Sequence, residues 1–178
     1  MSSHYLQAEL NRKEAISKMN THLQSKWLRR LKRNKTLVSV EKMYIPFWCF
    51  DYYAEAHSVT EGMEGRIAID PINHIKAILP MEHPVQQAGE TTFPSASKIL
   101  SEKHAESAIY WELFSKEKKR HKIKVVIQDQ WLVHVPYWIG YTKDRKQQYD
   151  IIAVDALNGK VDFPIKDTIF TYLKEAGA

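Results

Sequence analysis

A chain of 178 residues, 44% apolar and 26% charged, is long enough to bury a hydrophobic core and has the make-up of an ordinary globular protein. Its single cysteine, Cys49, excludes an intrachain disulfide and a multi-cysteine zinc cage, and fits a reducing cytoplasmic location. No run of about 18 apolar residues occurs, so no transmembrane segment is expected; the start of the chain lacks the apolar core of a signal peptide, and Ser2 stands where a myristoylated chain needs glycine. The net charge of +5 is unevenly spread. Residues 26–35 and 116–124 hold 12 of the 26 basic side chains and 1 of the 21 acids, so they sum to +11 against −6 for the remainder.

The first element predicted is a helix over about 12–33. Asn11 and Glu14 have the spacing of a capping box, with Leu10 and Ala15 as a hydrophobic staple. Ile16, Met19, Leu23, Trp27, Leu28 and Leu31 then recur on one helical face. Residues 36–54 are rich in β-branched and aromatic side chains and read as a long strand. Strands follow at 66–70 and 74–79, joined by the turn Asp70-Pro71-Ile72-Asn73. The stretch from Pro80 to Pro94 reads as a connector.

The second half repeats the plan. A helix is expected at about 97–119, with a break near Ser101, then a β-rich run over 122–142 and strands at 149–155 and 160–163. The turn between the last two, Ala156-Leu157-Asn158-Gly159, places glycine where a left-handed residue is needed. A short helix from Ile165 to Glu175 closes the chain. The halves also match residue by residue. Ile45-Pro46-Phe47-Trp48 reads against Val135-Pro136-Tyr137-Trp138, and the segment 67–73 against 152–158. The fold expected is therefore α+β, a tandem duplication of an α-β-β-β unit. An antiparallel sheet would carry helices on one face. The repeats span 1–83 and 97–178, with 84–96 between them and one compact domain overall.

The segment from Tyr149 to Val161 resembles the strand-turn-strand of small PepSY-type repeats, and the whole arrangement resembles the cystatin-like fold. The resemblance covers about a dozen residues. It implies a regulatory or inhibitory binding module in place of an enzyme.

The residue types that suggest chemistry have competing explanations. Cys49 sits in an apolar row with Met43, Ile45 and Phe47, which fits a buried, inert thiol. Asp70 and Asp155 each open a turn, where a carboxylate caps backbone N–H groups. The eight histidines form no i, i+4 pair, and no metal site or cofactor is expected. Six glycines form neither a phosphate loop nor a nucleophile elbow.

Two features remain as candidate sites. The basic runs, with Lys26, Arg29, Arg30, Lys32 and Arg33 in one and Lys118, Lys119, Arg120 and Lys122 in the other, form a candidate anion-binding patch. Tyr44, Trp48 and Phe50 in the first half, with His134 and Trp138 in the second, alternate along one strand face as a candidate pocket or interface. Three readings follow. The first is a non-catalytic cytoplasmic binding module for an anionic partner, nucleic acid or another polyanion. The second is a small-ligand carrier or enzyme with a pocket between sheet and helices. The third is an assembly protein that forms a homo-oligomer through its aromatic strand face.

Overall fold

The computed structural model describes residues 3–25, 34–56, 62–82, 84–88, 100–117 and 123–177. These form a mixed α+β structure of seven strands and three helices among the described residues. The order along the chain is β1 (Ser3–Leu6), α1 (Arg12–Leu23), β2 (Thr36–Ala56), β3 (Met63–Ile69), β4 (Lys76–Ile78), β5 (Val85–Ala88), α2 (Glu102–Glu117), β6 (Ile123–Lys143), β7 (Tyr149–Asp155) and α3 (Lys166–Gly177). The strands hydrogen-bond in the order β4-β3-β2-β6-β1-β5, and β7 also pairs with β6.

The chain divides into two compact units that draw on both of its halves. Unit 1 comprises Met1–His4 and Pro46–His134, and unit 2 comprises Tyr5–Ile45 and Val135–Ala178. In unit 1, β2 pairs antiparallel with β3 from Trp48↔Ile69 to Ala54↔Met63. Helix α2 lays Ala105, Ala108, Ile109 and Leu113 onto Phe50, Tyr52, Ala54, Ile67 and Ile69. Those four positions recur at helical spacing, so one face of α2 is apolar. Each fully buried Ile, Leu or Phe stabilises by roughly 1.5–3 kcal/mol. The opposite strand row is equally buried: Phe47, Cys49 and Ala68 expose no surface.

Unit 2 is organised around α1 and the β6/β7 ladder, which runs from Tyr137↔Asp155 to Lys143↔Tyr149. Ala15 and Met19 of α1 pack with Ile152 and Val154 of β7. The capping box forms as its spacing requires. Glu14 N–H donates to Asn11 Oδ1 at 2.9 Å and Asn11 N–H donates to Glu14 Oε2 at 3.0 Å. Gly140 makes the close approach of α1 to this strand feasible, because a Cβ there would lie 2.6 Å from Met19 Sδ.

Several local expectations shift. Helix α2 begins at Glu102, after Ser101, whose Oγ accepts the His104 N–H at 3.3 Å. The strand expected at 160–163 reduces to one bridge, Val154↔Val161, because Pro164 follows directly and has no N–H to extend a ladder. The stretch 80–94 is not only connector, since β5 occupies Val85–Ala88. Neither β5 nor β1, at four residues each, is long enough to show a periodic pattern. Pro46 and Pro136 are buried inside long strands, yet each stands just ahead of the described hairpin ladder, which starts at Trp48 in one case and Tyr137 in the other.

Candidate functional site

Among the predicted anion-binding residues, Lys26, Arg29, Arg30, Lys32, Arg33, Lys118, Lys119, Arg120 and Lys122 lie outside the described residues. The described end of the first run is Lys35, and its ammonium is engaged with the Asp150 carboxylate.

The predicted aromatic row divides between the units. In unit 1, Phe50 is fully buried and Trp48 packs against the same cluster beneath α2. His134 is also buried, its Nδ1 lying 3.1 Å from the His4 carbonyl oxygen. In unit 2, the Trp138 indole N–H donates to the Leu10 carbonyl at 2.8 Å, and the Lys42 ammonium lies over both the Tyr44 and the Trp138 rings.

Other polar groups, in both units, are tied into structure. Asp51 accepts two hydrogen bonds from Arg66, at 2.6 and 3.1 Å, and the Arg66 guanidinium lies 5.0 Å from the centre of the Trp131 ring. The hydrogen bonds to Asp51 raise the Arg66 pKa further. Cys49 is enclosed, and burial, with the nearby Asp51 charge, pushes its thiol far above the range where a thiolate forms. Asp70 accepts from the Ile72 and Asn73 N–H groups at 3.0 and 2.9 Å. Asp155 accepts from those of Leu157 and Asn158 at 2.7 and 3.3 Å. Both aspartates therefore serve as turn caps.

Two features were not singled out in the sequence. The first is on α2. Trp111 is 59% exposed, and its ring meets Tyr110 and Phe114 edge-on while those two stack at 6.0 Å. Helical geometry explains the exposure: Trp111 is two residues, about 200°, from the buried Leu113. A helical projection of 102–117 anchored on Ala105, Ala108, Ile109 and Leu113 would have found it. The basic run at 116–124 follows in sequence.

The second is a cavity of about 190 Å³ in unit 2, lined by His22 from the last turn of α1, Lys35, Thr142 of β6, Asp150 of β7, Phe163 and Lys166, the first residue of α3. Asp150 is its electrostatic centre. Lys35 reaches one carboxylate oxygen, and Lys166 Nζ lies 2.5 Å from the other. Burial alone would raise the Asp150 pKa, but the hydrogen bonds from Lys166 and Lys35 outweigh it and hold the carboxyl below its ordinary range. His22, whose ring lies 5.3 Å from that of Phe163 at a tilt of 58°, has its pKa lowered by burial and by the Lys35 charge. Thr142 stands across the ladder from Asp150 and is 1% exposed, and its hydroxyl has no hydrogen-bond partner among the described residues. Asp162 also lines the cavity, with its carboxylate accepting from the Tyr137 hydroxyl at 3.2 Å and the Ile165 N–H at 3.3 Å.

The self-comparison of the two halves already contains a signal for this cavity. The positions that match Thr142 and Asp150 are Tyr52 and Gly65, and these also stand opposite each other, in the β2/β3 ladder. There the tyrosine ring occupies the space, so close that a Cβ on Gly65 would lie 2.4 Å from it.

Among the described residues, no helix is long and apolar enough to cross a membrane, and no group of three or more metal-ligating side chains converges. Comparison with known protein families, with curated proteins and with solved structures found no match to this chain.

Proposed function

We propose that this chain is a non-catalytic binding module that engages single-stranded nucleic acid along the exposed side of α2, together with the basic runs. The observation that carries this reading is Trp111, 59% exposed beside Tyr110 and Phe114 in the middle of a helix whose opposite face is committed to the core. An exposed aromatic offers a stacking surface to an unpaired base, worth about 1–3 kcal/mol per base. Five basic residues within 116–122 come next in sequence, and each phosphate they neutralise releases a counterion. The side chains that most resemble catalytic groups support the non-catalytic part. Cys49 is core, and Asp70 and Asp155 hold turns.

Fluorescence anisotropy of labelled single- and double-stranded oligonucleotides, at low and near-physiological salt, tests the proposal. Single strands are expected to bind more tightly, with affinity falling log-linearly as salt rises. Trp111→Ala is expected to weaken binding by about tenfold. Absence of binding at low salt overturns the reading. So does unchanged affinity after joint replacement of Arg29, Arg30, Arg33, Lys119 and Arg120.

A further inference from the structure

We infer that the cavity of unit 2 binds a small organic oxyanion, a carboxylate or phosphate carried on a compact body. The site lies in the other unit from Trp111 and rests on different residues. Three observations converge on it.

The first is charge. Lys35 and Lys166 bring two ammonium groups to one carboxylate, Asp150, so this cluster carries a positive charge that Asp150 does not cancel. An ammonium has three donors, which lets each lysine hold Asp150 and a second oxyanion together. The remaining acid, Asp162, accepts from Tyr137 and from the Ile165 backbone; its formal charge brings the lining as a whole to zero, so the positive charge is local to the two lysines at Asp150. His22, its pKa lowered, adds an uncharged ring to the wall at neutral pH.

The second observation is the Thr142 hydroxyl. It is 1% exposed, lines the cavity and makes no hydrogen bond among the described residues. As the cross-strand partner of Asp150 it lies on the same side of the ladder as the lysine cluster. A buried hydroxyl is ordinarily paired, and an oxyanion held by the two lysines supplies the acceptor.

Shape is the third. The His22 and Phe163 rings, 5.3 Å apart and tilted by 58°, form an angled aromatic wall beside the charged groups. The volume of about 190 Å³ has room for an acid of a few carbons.

The test follows the His22 ring and Thr142 methyl signals by NMR in the full chain during titration with sodium propionate, with methyl phosphate, and with sodium chloride at matched ionic strength. A saturable shift of both signals with propionate alone identifies a carboxylate site, with methyl phosphate alone a phosphate site, and with both a general oxyanion site. Each of these outcomes should also raise the His22 pKa, since a bound anion stabilises the imidazolium. Thr142→Val keeps the shape and removes the hydroxyl. It is expected to weaken binding by about tenfold while the melting temperature holds or rises. The inference is overturned if neither oxyanion gives a saturable shift, if sodium chloride reproduces the shifts, or if Thr142→Val binds as tightly as the parent.

Discussion

Tyr52 faces Gly65 in unit 1, and Thr142 faces Asp150 in unit 2. The surrounding ladders pair in the same register, with Trp48↔Ile69 matching Trp138↔Val154 and Cys49↔Ala68 matching Ile139↔Ala153. In unit 1 the large-small pair fills its own space with an aromatic ring. In unit 2 the pair of small polar side chains leaves room, and two lysines from elsewhere in the unit arrive to neutralise the carboxylate. The same ladder thus yields a packed core in one unit and a polar cavity in the other. The difference is made by side-chain volume at one cross-strand pair, since a sheet fixes where side chains project but not whether they fill the space above it.

The largest expected effect breaks the packed version. Phe50→Ala removes a fully buried ring from beneath α2 and should destabilise by about 3–5 kcal/mol, read as a lower urea midpoint. Its counterpart in register, Gly140, has the opposite constraint. Gly140→Ala drives a methyl against Met19 and Ile152 and should cost about 1–3 kcal/mol by overpacking.

Converting one unit's pair into the other's sharpens the comparison further. The double variant Thr142→Tyr with Asp150→Gly should fold, because Tyr52 and Gly65 pack in the equivalent place, and should lose the cavity and its response to propionate or methyl phosphate. Retention of that response would separate the oxyanion site from this pair.

Asp150→Asn isolates the electrostatic part. The folded-state pKa of Asp150 is depressed, so its contribution is present above the unfolded value of about 3.9 and is lost as pH falls through the folded value. The variant should therefore be less stable than the parent at neutral pH, by about 1 kcal/mol after allowance for solvent screening at the exposed side of the lysines. The two stability curves should converge in acid.

Two smaller effects concern the helices that cover the units. Asn11→Ala removes the N-cap of α1 and should cost about 1 kcal/mol in thermal melts. Trp111→Ala, on the exposed side of α2, should change stability by no more than about 0.5 kcal/mol while weakening nucleic-acid binding.

The elements with strong local signals were legible in the sequence. The capping box at Asn11 and Glu14 involves three consecutive backbone steps and two side chains, so it forms wherever the helix starts. The aspartate turns at 70 and 155, and Gly159 at φ +71°, are equally local. The alternation in the long strands marked Cys49 as buried without any knowledge of its neighbours. The four-residue strands β1 and β5 carry no such periodic pattern, because their extended conformation comes from pairing with strands distant in sequence.

The sites were less legible. Basic residues are conspicuous in sequence, yet Lys35 lies next to an aspartate 115 positions away, which no local pattern encodes. Thr142 and Asp150 are unremarkable as residues and become a site only when β6 and β7 pair and α3 brings Lys166 above them. Sequence by itself determined where the longer helices and strands lie and which of their faces are apolar, because backbone propensity and hydrophobic periodicity act over a few residues. Only the tertiary structure decided which apolar faces meet, where a cavity remains and which charges share it, because those depend on volumes and distances between residues far apart in the chain.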